Sequence, residues 1–129
     1  MSMRNEGLTK TFQSGAAIVR ARIVKFGADE RTVVQAAGAA ATEFMFGVAD
    51  MIGAAAAAEP QDVILEGVAT VEYGGTVAVG AMLTSDSVGR AVTAAPAAGT
   101  NNRVIGVAMV AGVVGDLGAV LISLGQVQG

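Results

Sequence analysis

The chain has 129 residues, a formal charge of −3, 53% hydrophobic and 15% charged residues, which is enough for one ordinary domain and too apolar for a disordered chain. It contains no Cys, His or Trp. That composition excludes disulfide frameworks, Cys/His metal sites, thiolate nucleophiles and every histidine acid/base mechanism.

Ala and Gly fill about a third of the sequence, and the bulky apolar residues are mostly Val. Small side chains bury little area each, at about 25 cal/mol per Å², so the core is expected to be thin and the protomer to gain stability from self-association or a larger partner. In the first 25 positions Arg4, Lys10, Arg20, Arg22 and Lys25 stand against one acid, Glu6, which makes that segment +4 and the remainder −7. The surplus reads either as a solvated strand face or as a basic arm for an acidic protein surface. Basic residues and stacking platforms are too few for a nucleic-acid partner.

Residues 1–11 are polar, so no signal peptide is expected. The strand signal starts at residues 17–26, where Val19, Ala21 and Ile23 alternate with Arg20 and Arg22. A polar turn at 27–31, a short strand at 32–35 and an Ala-rich connection lead to a strand at 44–48. Residues 54–58, all Ala, form a loop or a single helical turn, being too few for a helix alone. A strand is expected over 62–73, with Gly67 at a bulge or close backbone approach. Gly74 and Gly75 turn the chain into a short extended stretch at 76–79, and a hairpin tip around Asp86 joins residues 82–83 to 90–93.

Residues 94–102 form a loop, and strands are expected at 104–110 and 117–124. The apolar run 104–124 has the length of a membrane span, but its glycines and the Gly115-Asp116 turn favour two strands and no membrane. The fold class is all-β, a small barrel or sandwich with Gly/Ala-rich loops: an extended N-terminal arm at 1–15 and one β domain at 16–129. The sequence Phe46-Gly47-Val48-Ala49 is echoed 59 residues later by Ile105-Gly106-Val107-Ala108. The echo is either coincidence in a Gly/Ala/Val-rich chain or a pair of equivalent strands.

No nucleophile has an activating base, since Ser14 with Lys10 or Lys25 carries no motif. The acids Asp29, Glu30, Glu59, Asp62 and Glu66 lack calcium-loop spacing, and the glycine clusters lack the lysine of a phosphate loop. No metal, cofactor or catalysis is expected, and the four Phe and Tyr73 are scattered along the sequence. An assembly or interaction role is the favoured class.

Read in order, Phe46-Gly47-Val48-Ala49, Gly67, the stretch Gly80-Ala81-Met82-Leu83-Thr84-Ser85-Asp86-Ser87-Val88-Gly89-Arg90, Ile105-Gly106-Val107-Ala108 and Gly115-Asp116 resemble the small capsid cement or decoration proteins of tailed bacteriophages. The chain departs from that pattern at Ala81, where many members carry an acid. The resemblance implies a non-enzymatic β protein made in the host cytoplasm that joins the virion on the outer surface of the head. Its partners would be the major capsid protein and further copies of itself, as a homotrimer, reinforcing the lattice. Within that expectation, Arg4, Lys10 and Phe12 of the arm and Asp86 and Arg90 of the hairpin are the candidate contacts. The alternative from another class is a β-barrel module for a host surface or glycan.

Overall fold

A computed structural model describes residues 5–39 and 41–129, with only the backbone of Asn5 and Glu6. Its strands are β1 (Asn5–Ser14), β2 (Ile23–Phe26), β3 (Thr32–Gln35), β4 (Met45–Ala49), β5 (Pro60–Glu72), β6 (Met82–Ser85), β7 (Ala91–Thr93), β8 (Asn101–Ala108) and β9 (Leu117–Gln128). No helix occurs among the described residues, so the fold is all-β. The strands run β1-β3-β2-β4-β5-β9-β8-β6-β7 in one sheet, and β1 also pairs with β5. That extra pairing closes β1-β3-β2-β4-β5 into a five-stranded ring, which leaves its members few free edges.

The second half of the chain repeats the first. The pairs Ile23↔Val48 and Val24↔Gly47 between β2 and β4 recur, 59 residues later on both strands, as Met82↔Val107 and Leu83↔Gly106 between β6 and β8. The antiparallel β1–β5 pairing recurs between the end of β5 and β9, and the parallel pair Ser14↔Val33 recurs as Tyr73↔Ala91. Strand β5 therefore closes the first repeat with its first half and opens the second with its last.

Loops repeat as well as strands. Ile18 and Ala54 exchange two backbone hydrogen bonds of 2.8 Å, and Val77 and Gly112 make the same exchange at 2.9 and 3.0 Å. Ala21 N–H donates to Asp50 C=O as Gly80 N–H donates to Ala108 C=O. Ala21 and Gly80 both take positive φ, 58° and 84°, at the same place in the repeat. This is why the strand expected over 17–26 is only β2: the left-handed turn at Ala21 interrupts it, and Val19 is exposed while Ala21 and Ile23 are buried.

Burial follows the same correspondence. Phe12, Ile18, Val24, Val33, Phe46, Ala49 and Val63 form one buried cluster. Their counterparts Val71, Val77, Leu83, Ala91, Ile105, Ala108 and Val120 lie in the other. The second cluster also takes in Ile23, Ala36, Met45, Val48 and Ile64, so the repeats share it, and each fully buried Val, Leu, Ile or Phe contributes about 1.5–3 kcal/mol. The echoed glycines have one cause: a Cβ on Gly47 would lie 2.8 Å from the carbonyl oxygen of Ile64, and one on Gly106 would overlap that of the equivalent Leu121. Strands β4 and β8 approach their neighbours too closely for any side chain there.

The extended arm expected at 1–15 is, from residue 5 onward, strand β1 of the ring. Its residues pair with β5 from Asn5↔Val68 to Gln13↔Pro60, with a register shift beside Gly67, whose φ is 88°. Backbone pairing of that length holds the segment in the ring although its side chains alternate only weakly.

Candidate functional site

All four Phe side chains of the chain converge on the first repeat, which corrects the expectation that they are scattered. Phe26 and Phe46 stack at 4.1 Å between centroids with planes 10° apart, and Phe12 meets Phe46 edge-on at 5.5 Å. Phe44 lies nearly parallel to both, 6.1 Å from Phe46 and 6.3 Å from Phe26. Phe26 and Phe44 sit at the rim, half exposed, whereas Phe12 and Phe46 are core. The signal lay in strand partnership: Phe26 follows directly in the strand that pairs with β4, and Phe12 is in the strand that closes the ring.

Two cations rest on this cluster. The Lys10 ammonium lies 5.2 Å from the Phe12 ring centroid, and the Arg103 guanidinium lies 5.8 Å from that of Phe44. Cation and ring quadrupole attract by about 0.5–1 kcal/mol at an exposed site. Arg103 is the counterpart of Phe44 in the second repeat, so this contact joins the two halves. Beside it, Phe44, Arg103, Leu124 and Gln126 line a shallow cavity of about 260 Å³.

Lys10 also borders an open cleft of about 530 Å³ that runs past Thr11, Gln13, Glu30, Arg31 and Glu59. The mixed charges of this cleft suit a polar protein surface better than a small apolar ligand. At its mouth the turn from β2 to β3 holds Asp29, whose carboxyl sits below its usual range because the Thr32 side chain and then the Arg31 N–H donate to it. Phe12, expected as a contact, is 7% exposed and belongs to the core beneath the cleft. Arg4 lies outside the described residues.

The hairpin candidates, both partly exposed, bond to each other and to their own turn. Asp86 accepts from the N–H groups of Val88 (3.0 Å) and Arg90 (2.9 Å) through Oδ1, and from Arg90 Nε through Oδ2 at 2.8 Å. The turn is then fastened to the first repeat: Arg22 and Gln35 donate to Val88 C=O, and Ile23 N–H donates to Gly89 C=O. Arg22 also pairs with Glu72 at 3.2 Å. Asp86 and Arg90 thus brace the turn whose Val88 and Gly89 carbonyls staple the repeats together, and both side chains stay partly exposed.

Two buried polar groups complete the electrostatics. Glu43 accepts from the N–H groups of Ala37 and Gly38 and pairs with Lys25 at 2.8 Å, bracing the connection into β4. Tyr73 is fully buried, donates its hydroxyl to Val110 C=O at 2.8 Å, and is held above the ordinary tyrosine range by burial and then by the Asp116 charge. No group of three or more acids suited to a metal occurs among the described residues.

Comparison with known proteins gives this architecture a context. The fold matches the N-terminal base of the head fibre protein gp8.5 of bacteriophage phi29 with a TM-score of 0.65, over 90% of this chain and 93% of that one, at 18% sequence identity. No curated protein matches the chain. The family model for phage cement proteins matches residues 2–124. With nearly its whole length accounted for by that model, the chain belongs to the phage cement protein family, structural proteins associated with the virion head.

Proposed function

We propose that the protein binds the outer surface of the phage head as a trimer and reinforces the capsid lattice. The observation that carries this reading is the family match across residues 2–124. The physics supports it. Two small buried clusters rich in Val and Ala stabilise a protomer modestly, and a shell offers many equivalent sites at which weak contacts sum. The major capsid protein is the partner, and the basic edge of the cleft, Lys10 with Arg31, and Arg4 before it, is the contact surface this reading assigns to it. Asp86 and Arg90 serve the contact indirectly by holding the two repeats together.

The glycan-binding alternative is less well supported, because the aromatic rings face one another or carry a cation. The test is Lys10→Glu with Arg31→Glu. Binding to purified heads should fall at least tenfold while stability falls by no more than about 1 kcal/mol, the Lys10–Phe12 contact, since both residues are exposed. Undiminished binding would remove this face from the contact.

A further inference from the structure

The two repeats form an internal control for the surface. Their paired loops, 15–22 with 51–59 and 74–81 with 109–116, are closed by matching backbone hydrogen bonds and share the left-handed turns at Ala21 and Gly80 and at Ala58 and Gly115, while Gly53 is left-handed in the first pair alone, so the fold makes nearly the same demands of both. Their chemistry differs. The first pair carries Arg20, the small Ala55, Ala56 and Ala57, and then Pro60, with Asp50 and Glu59 adjoining and only Val19 and Ile52 large and exposed. At the corresponding places the second pair carries Val79, Val113, Val114 and Leu117, with Met109 beside them. Val79 is 68% exposed and Val114 60%, and the other three are about half exposed.

At Arg20, Ala55, Ala56, Ala57 and Pro60 the first repeat closes without a branched apolar side chain, so those that the second repeat carries at the corresponding places are not needed for folding. Together the five leave about 450 Å² of surface in water, as much as the largest apolar patch of a typical soluble monomer, which is often functional. A stable complex takes about 800 Å² from each partner, so this patch is sized as the apolar centre of one such interface.

We propose that this end of the second repeat is the surface through which one copy of the chain binds another. Asp116 is the one charged residue in loops 74–81 and 109–116, and its carboxylate accepts the Val113 N–H. Two uncharged apolar patches are complementary to each other whatever their orientation. Two copies of the mixed-charge cleft on the first repeat would set like charges together unless the register were favourable. The proposal rests on the self-association part of the functional reading and assigns it a location, leaving the first repeat free for the capsid.

The test is sedimentation equilibrium of the purified full chain, without heads. Wild type should self-associate, and Val79→Asp with Val114→Asp should weaken association by about 100-fold or more. The matched substitutions Arg20→Asp and Ala57→Asp in the first repeat should leave it unchanged. All four positions are exposed, so circular dichroism should show folded protein throughout, and Val79→Thr with Val114→Thr supplies a milder variant. Association that survives both second-repeat variants overturns the location while leaving an oligomer in place. Wild type that stays monomeric at about 100 µM overturns self-association and the proposal with it, whether or not the protein binds heads. A monomer that loses head binding with the same substitutions would assign the patch to the capsid instead.

Discussion

Replacing Gly106 with Ala probes the close approach of β8 and β9 directly. Its added Cβ would overlap the carbonyl oxygen of Leu121 and lie 3.0 Å from that residue's carbonyl carbon and 3.1 Å from Ile122 Cα. All three atoms are backbone, held by the pairs Gly106↔Ile122 and Val107↔Leu121, so no side-chain rotation relieves the clash. The strands must separate, which places Gly106→Ala near 3 kcal/mol, the upper end of ordinary overpacking costs. At Gly47 the nearest atom is the Val63 Cγ1 methyl at 2.5 Å, with the Ile64 oxygen at 2.8 Å, so part of the strain can be relieved and about 1–2 kcal/mol is expected. Gly125 meets nothing within 4 Å and has no positive φ, so Gly125→Ala should be neutral or gain a few tenths through the unfolded chain. Urea unfolding followed by far-ultraviolet circular dichroism measures all three, and the midpoints should fall in the order Gly125→Ala, Gly47→Ala, Gly106→Ala with equal slopes. Gly106→Ala as stable as Gly125→Ala would refute the close-approach account of the echoed motif.

Tyr73 is the single Tyr in a chain without Trp, so ultraviolet titration reports it alone. Its native midpoint should lie above 10.0, because burial and then Asp116 disfavour the phenolate. The folded state therefore holds the proton longer than the unfolded state. The term costs nothing below pH 10, and stability declines as pH rises from there through the folded value, a decline that Tyr73→Phe should abolish. Asp86→Ala removes three hydrogen bonds from the staple and should cost about 1–2 kcal/mol while leaving head binding per folded molecule intact; a binding defect without destabilisation would make Asp86 a contact. Glu43→Gln should cost about 1–3 kcal/mol in a thermal melt, because the Lys25 pair and one acceptor for the Ala37 and Gly38 amides are lost together.

Most strands were legible from local signals. Residues 32–35, 62–73 and 117–124 combine β-branched residues with Gly or Asp punctuation, and the pairing adds only their partners. The echo at Gly47 and Gly106 pointed to equivalent strands, but its meaning depends on the carbonyls of Ile64 and Leu121 on other strands. Segment 17–26 was read too long because Ala and Arg alternation resembles a half-buried strand, whereas the φ of Ala21 is set by a hydrogen bond to distant Asp50. Segment 5–14 resembled an arm because most of its residues are polar, and among its described side chains Phe12 is the one large one that is buried. The Phe cluster was hidden for a similar reason, since it is assembled by ring closure between strands far apart in sequence. At the hairpin, Asp86 and Arg90 had the composition of a surface contact, and only the fold shows their partners within the chain.

The most direct test of a cement role is co-sedimentation of the purified protein with undecorated heads, in compact and expanded forms, counting bound copies per capsid subunit. The account predicts saturation at a fixed ratio and tighter binding to the expanded form, because a ligand stabilises the state for which its affinity is greater. Absence of saturable binding to either form would contradict it.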